Sequence, residues 1–355
     1  MFLAWNEIKN NKLRFILIIG VLTLVSYLVF FLSGLANGLE NLNKEAVDKW
    51  KADGIILTDE SDITLSQSSM KIDDYDGNGA DEYAILAQAN SIAKVDDLKA
   101  NVSLFGIRED EFIMPEVTEG KAFSTAGEVI ADDSLKEDGF KIGDELSLSS
   151  TDTTLIITGF TADAKFNAAP VLYGSLETIQ EVRFGEAAEQ NEQQINGIVF
   201  RTDNLENVSV DESLAVISTQ TFIENLPGYS EQSLTLTFMI YFLFIISAVI
   251  LAIFLYVLTI QKISIFGVMK AQGVSNRYLS QSVIAQTFIL SLAGVIVGLV
   301  LTLVTGYFLP AAVPVAFNYV DMLIYGVVLI AVSVMGALFS VQTIVKIDPL
   351  NAIGG

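Results

Sequence analysis

The stretch Phe15 to Asn37 reads FILIIGVLTLVSYLVFFLSGLAN and holds no charged residue. At about 1.5 Å of rise each, roughly 20 such residues cross a hydrocarbon layer as a helix, which satisfies its own backbone hydrogen bonds where water is absent. Three more stretches meet the same test: Leu234 to Gln261, Val283 to Asn318 with its spanning part ending near Leu309, and Met322 to Val345. Soluble cores rarely need uninterrupted apolar helices of this length. A cleaved signal peptide is the rival reading of the first stretch. Its apolar region would run only about 7–15 residues, and Ser33-Gly34-Leu35-Ala36 makes a poor cleavage site.

The chain of 355 residues is 52% hydrophobic yet carries a net charge of -22. Apolarity and acidity at these levels must be segregated, and they are. Of the 42 acidic residues 39 lie between Glu40 and Gln232, with 13 of the 20 basic ones, so that segment holds -26 and the rest of the chain +4. This partition excludes a single globular enzyme core and a disordered acidic tail, and so strong an acidic excess repels nucleic acid. The absence of Cys rules out disulfides, thiolate catalysis and Cys-zinc sites, and the absence of His removes the commonest general base and metal ligand.

Seven bases stand outside the acidic segment: Lys9, Lys12 and Arg14 before the first span, Lys262, Lys270 and Arg277 between the second and third, and Lys346 after the fourth. All fall on one side, which the positive-inside rule makes cytoplasmic. The expected organisation is a cytoplasmic interfacial helix at 1–14, spans at 15–39, 233–261, 283–309 and 322–345, an extracytoplasmic domain at 40–232, a cytoplasmic segment at 262–282, an external loop at 310–321 and a cytoplasmic tail at 346–355. The chain then sits in the cell membrane with both termini inside. In residues 1–12, Phe2, Leu3, Trp5 and Ile8 share one helical face, which suits a helix lying in the inner interface.

The external segment is long enough for one or two compact subdomains. Leu39, Leu42, Ala46, Val47 and Trp50 keep helical spacing, so the first span is expected to continue outward as a stalk. Strand-like runs follow at Gly54 to Thr58, Val102 to Gly106, Glu128 to Ala131, Glu145 to Leu148, Thr154 to Phe160, Val171 to Tyr173 and Gly197 to Arg201. Helices fit at Asp132 to Glu137 and Leu176 to Phe184, and Glu186 to Gln194 reads as a helix end or mobile loop. The fold class is thus four transmembrane α-helices per chain plus a large extracytoplasmic α+β domain between helices 1 and 2. Within that domain, a loop starting at Asp74 could offer oxygens from Asp74, Asp76 and Asn78 to calcium, with Gly79 at the sharp turn. Its twelfth place is Ile85 rather than Glu, and the other reading is an acidic surface turn.

The order of one span, a large external domain and three more spans resembles the FtsX/MacB-type permeases of ABC transporters, over the whole chain. Phe266-Gly267-Val268-Met269-Lys270-Ala271-Gln272-Gly273-Val274-Ser275 is similar to that family's segment after the second span. Glu119-Gly120-Lys121, Gly127-Glu128-Val129-Ile130-Ala131, Lys141-Ile142-Gly143-Asp144-Glu145-Leu146 and Ile157-Thr158-Gly159-Phe160 resemble its external strand and turn pattern. The tail Val345-Lys346-Ile347-Asp348-Pro349-Leu350-Asn351-Ala352-Ile353 resembles its usual ending. Ile265 stands where many relatives carry Glu. With the opening Met1-Phe2-Leu3-Ala4-Trp5-Asn6-Glu7-Ile8-Lys9 and Ser33-Gly34-Leu35-Ala36-Asn37-Gly38-Leu39, this variant is similar to the HrtB/DevC-like branch, whose HrtB-type members are implicated in haem efflux.

No Gly-x-x-x-x-Gly-Lys-[Ser/Thr] occurs, so the chain lacks the usual phosphate loop and would borrow a separate ABC ATPase, which holds ATP and magnesium. The resemblance implies that Phe266, Gly267, Val268, Met269, Lys270, Ala271 and Gly273 form the coupling helix against that ATPase. A short helix at Val268 to Gln272 is expected there, with Ser275-Asn276 capping the next. The resemblance also implies a homodimer of permease chains. Gly34-x-x-x-Gly38 and Gly294-x-x-x-Gly298 offer small-residue ridges as candidate seams.

No Asp, Glu, Lys or Arg interrupts the spans, which argues against a proton relay or ion pathway and for helices that transmit motion or expel an amphiphile sideways from the outer leaflet. Its candidate contacts are Tyr27, Phe30, Phe31, Asn37, Glu40 and Glu45 on one side and Phe238, Met239, Tyr241 and Phe242 on the other. Haem, as a possible substrate rather than a cofactor of this chain, would take Glu40, Glu45, a Tyr or Met239 as iron ligand, since no His or Cys exists. The blander reading makes the Glu pair solvated stalk carboxylates and the Phe cluster lipid-facing. The expected function is the permease subunit of an ABC exporter for a hydrophobic or amphiphilic compound, with haem first. An antimicrobial peptide or lipid exporter, an FtsX-like mechanotransmitter that moves no substrate, and a sensor without an ATPase are the alternatives.

Overall fold

The computed structural model describes residues 12–310 and 313–345, without the side chains of 14, 339, 340 and 342–344. Most of the interfacial helix expected at 1–14, and the whole tail at 346–355, lie outside the described residues. The chain divides into two units, Met1–Leu39 with Ser233–Gly355, and Glu40–Gln232.

Four helices in the first unit are long and apolar enough to cross a membrane. Helix α1 (Lys12–Trp50) contributes its first part, and α5 (Tyr229–Gln261), α7 (Asn276–Phe308) and α8 (Tyr319–Val345) follow. Most of their outward surface is apolar, as a hydrocarbon solvent demands. One cluster joins Val25, Val29 and Phe30 of α1 to Ile240 and Phe244 of α5, Val295 of α7 and Met322 and Leu329 of α8. A second joins Phe15, Ile18 and Leu22 to Leu251 and Leu290. Helix α5 buries one narrow stripe, Leu236, Ile240, Phe244, Ser247, Leu251, Leu255 and Thr259, whose three- and four-residue steps are those of a single packing seam.

Both small-residue ridges are used inside the chain, which corrects their reading as dimer seams. A Cβ on Gly294 would lie 2.5 Å from Leu22 Cβ, and one on Gly298 would lie 3.0 Å from Ser26 Cβ. These glycines therefore let α7 lie against α1, where bulkier residues would hold the helices apart. At the other end of α1, a Cβ on Gly34 would meet the Phe317 ring at 2.6 Å and one on Gly38 would meet the Pro314 carbonyl carbon at 2.5 Å. The connection between α7 and α8 is thus seated on α1, and Ala316 N–H donates to Gly34 O at 2.9 Å.

The second unit is built on an 11-stranded sheet. Its strands include β1 (Gly54–Thr58), β3 (Glu82–Val95), β4 (Leu98–Ile107), β6 (Glu128–Asp132), β8 (Thr154–Thr161), β10 (Ala169–Ser175), β12 (Gly197–Arg201) and β13 (Leu214–Ser218). The short β5 (Glu119–Gly120), β7 (Glu145–Leu148) and β9 (Lys165–Phe166) complete it, while β2 (Met70–Lys71) and β11 (Gln194–Ile195) pair apart. The main order is β13-β1-β12-β3-β4-β10-β6-β8-β5. Successive side chains point to opposite faces. On one face, Ile55, Leu57, Leu86, Phe105, Tyr173 and Val199 pack with Trp50 at the end of α1 and Phe222 of α4 (Thr219–Glu224). On the other, Leu104, Val129, Ala131 and Leu172 pack with Ile179 and Val182 of α3 (Leu176–Phe184) and Leu135 of α2 (Asp133–Glu137).

Candidate functional site

The segment between α5 and α7 is the first candidate. Helix α5 ends at Gln261, and α6 (Ile263–Ala271) begins after a break at Lys262 (φ -109°, ψ 9°). The observed helix starts well before the expected Val268 and runs through Gly267. It ends on Gly273 at φ +91°, a backbone region that glycine enters without a steric penalty. Gly273 N–H donates to Lys270 O at 2.9 Å and Val274 N–H to Met269 O at 3.0 Å, the double closure of a left-handed helix cap. Ser275 then caps α7, its hydroxyl accepting from Tyr278 N–H at 3.3 Å.

Of the expected coupling residues, Phe266 and Gly267 turn inward. Phe266 is 4% exposed and packs with Leu279 and Val283 of α7, so its ring anchors α6 rather than meeting a partner. Met269 is half-buried against the same cluster. Val268 and Ala271 are exposed, and Ile265 and Tyr278, not counted among the coupling residues from the sequence, add apolar surface there. Helical spacing alone could have placed Ile265 three residues before Val268 on one face. Lys270 donates to Val345 O at 3.2 Å, and desolvation lowers its ammonium below the usual lysine range.

The amphiphile candidates of the first unit differ in their surroundings. Tyr27 and Phe31 stack at 5.9 Å, and the Tyr27 hydroxyl lies 3.3 Å from Thr305 Oγ1 of α7. Phe30 is buried in the bundle, whereas Met239 and Tyr241 are about half exposed on α5. The Asn37 amide nitrogen is buried without a hydrogen-bond partner.

Glu40 and Glu45 belong to the second unit. Glu45 is partly buried there, which corrects its reading as a solvated carboxylate: Oε2 accepts from Lys165 N–H at 3.3 Å. Burial, eased by the Lys165 ammonium and reinforced by Asp132 and Asp163, raises its carboxyl to about 7. Beside it Lys49 donates to Thr161 Oγ1 at 2.8 Å, and desolvation lowers its ammonium. Asp132 caps α2 and accepts from Ala164 N–H at 2.7 Å. A second carboxyl raised to about 7 by burial is that of Glu111, which accepts from Ile85 N–H at 3.0 Å and sits near Arg108. No sequence motif announces either group, because each depends on strands distant in sequence.

The calcium candidates Asp74, Asp76 and Asn78 lie in a short self-bonded loop. Asp74 Oδ2 closes a turn by accepting from Lys71 N–H at 2.7 Å, Asp76 Oδ1 accepts from Asn78 N–H at 3.1 Å, and Asn78 O accepts from the Tyr75 hydroxyl. One oxygen of each carboxylate is thus engaged within the loop, which leads into strand β3 rather than a helix. Among the described residues no three acidic groups gather around a common point.

Comparison with known proteins agrees with this architecture. Residues 237–349 match the family model of the FtsX-like permease C-terminal region. Over 368 residues, covering 100% of this chain and 99% of the relative, the sequence is 26% identical to a Staphylococcus haemolyticus protein named as hemin transport system permease protein HrtB. An ABC transporter permease of Mycobacterium tuberculosis is 23% identical over 368 residues, with 100% and 99% covered. Among solved structures, the periplasmic region of MacB from Actinobacillus actinomycetemcomitans aligns with a TM-score of 0.36 at 15% identity, over 49% of this chain and 93% of that one. Residues 237–349, which run through helices α5 to α8, thus carry an FtsX-like permease domain.

Proposed function

We propose that this chain is the membrane subunit of an ABC exporter that expels haem or a closely similar amphiphile, driven by a separate ATPase. The observation that supports it best is the end-to-end similarity to the permease named for hemin transport. The chemistry of the chain agrees. It holds no phosphate loop, so ATP and magnesium belong to the partner. The exposed apolar face of Ile265, Val268 and Tyr278 is the surface offered to that ATPase. The clustering of basic residues supports a cytoplasmic position for this segment and both termini, with 40–232 outside.

The ligand site is completed by a second copy in a homodimer, to which α5 offers the half-exposed Met239 and Tyr241. Met239 or Tyr241, each about half exposed on α5, approaches the haem iron in preference to Glu45, which is turned to Lys165. The test is a haemin titration of the full-length chain in lipid nanodiscs, followed by the Soret band, with Met239→Ala and Tyr241→Phe beside the wild type. Saturable binding weakened by either substitution supports the proposal. Binding unchanged in both variants rejects these residues, and ATP-driven efflux that ignores haemin rejects the substrate.

A further inference from the structure

Between α7 and α8 lies an apolar groove of about 370 Å³, a volume within the ordinary range of small-ligand sites, ~300–1,000 Å³. Its floor is Phe30, Met322 and Gly326, and its rim includes Ile296 of α7 and Leu323 and Val327 of α8. The floor residues Phe30 and Met322 are almost wholly buried, whereas the rim residues are at least half exposed. From this concave shape in a hydrocarbon setting we infer that the groove is a binding site for one acyl chain of a membrane lipid with an uncharged or zwitterionic headgroup.

A second helix is a poorer occupant. Close helix approach is favoured by small residues on the contact ridge, but the glycines of α7, Gly294 and Gly298, are consumed against α1 and Gly326 of α8 lies in the groove floor below the rim. The rim carries branched, bulky side chains that hold another helix off but leave room for a thin, flexible run of methylenes. Headgroup choice follows from charge. The sequence holds no Lys or Arg between Tyr278 and Val345, and Asp321 stands near Tyr319 at the end of the groove. An anionic headgroup finds no cation there and meets a carboxylate. The groove follows the α8 half nearest Tyr319, which on the orientation proposed above is the outer leaflet; only this leaflet assignment rests on that reading.

Full-length chain in nanodiscs, without ATPase or haem, is exposed to phosphatidylcholine bearing a photoactivatable acyl chain. Labelling concentrated on 292–303 and 319–330, competed by phosphatidylcholine better than by phosphatidylglycerol, is the expected result. Gly326→Leu, which fills the floor, lowers labelling about tenfold. Gly326→Ala keeps it, since the added Cβ makes only ordinary contact with Val295 at 3.4 Å and Phe30 at 3.6 Å. Leu323→Trp closes the groove from its exposed rim, so the test stands even where the leucine variant fails to fold. Labelling spread evenly over the four helices, labelling unchanged in Leu323→Trp, or a chain-to-chain cross-link through the groove overturns the inference. Preferred competition by phosphatidylglycerol overturns its headgroup part. None of these outcomes bears on haem efflux, which is measured separately.

Discussion

The Ser26 hydroxyl lies 3.1 Å from the carbonyl oxygen of Gly294, a hydrogen-bonding approach from α1 to α7 that the missing glycine side chain permits. The same hydroxyl stands 2.7 Å from Leu22 O on its own helix, so its single proton is shared. Contact distance, more than this bond, binds the two helices. Gly298→Leu is expected to cost at least about 1–3 kcal/mol by overpacking. Ser26→Ala costs only about 0.6 kcal/mol, the average for hydrogen bonds between membrane helices. Thermal unfolding in detergent separates them, and equal shifts would contradict the ranking.

Substitutions in α6 should divide by face. Val268→Asp places a charge on an exposed surface and leaves the chain stable, while ATP hydrolysis in the reconstituted complex no longer responds to the permease. Phe266→Ala empties a packed site at a cost of about 3–5 kcal/mol. A Val268→Asp complex with normal coupling would remove this face from the interface.

Glu45 and Glu111 give the inserted domain a defined pH response. Each has its carboxyl raised from about 4.5 to about 7. The folded chain therefore holds protons that the unfolded chain has released across this window. Stability is greatest below it and declines as pH rises through it. Glu45→Gln with Glu111→Gln should flatten the thermal midpoint between pH 5 and 7, measured on the full chain at about one-unit steps. An unchanged slope would show that other groups set it.

Asp74 is a turn cap, so Asp74→Ala should lower stability by about 1 kcal/mol. Calcium at millimolar concentration should leave the midpoint of the wild type unmoved. A calcium-dependent rise abolished by that substitution would restore the metal reading.

Much of this molecule was readable from periodicity. The uncharged runs define the four long helices, and β1, β7 and β12 begin and end where strand-like runs were expected, β7 alternating in burial and β1 and β12 buried on both faces. The long strand β3 was missed because Ala, Gln, Asn and Ser dilute its apolar pattern, and its pairing with β4 and β12, rather than local propensity, secures it. The glycine ridges carried a correct message, close helix approach, without saying whether the neighbour belonged to the same chain. Glu45 failed as a surface carboxylate for a similar reason: only the return of the chain at Lys165 buries it.

The packing of α5 has a mechanical consequence. Helices α1 and α7 are keyed together by Gly294 and Gly298, whereas α5 lies against α8, with Ala248 and Ala252 at Gly336, and joins α6 at its end. A push delivered to α6 would therefore travel along α5 into α8 first, as a lever moves one stave of a barrel while a bolted pair resists.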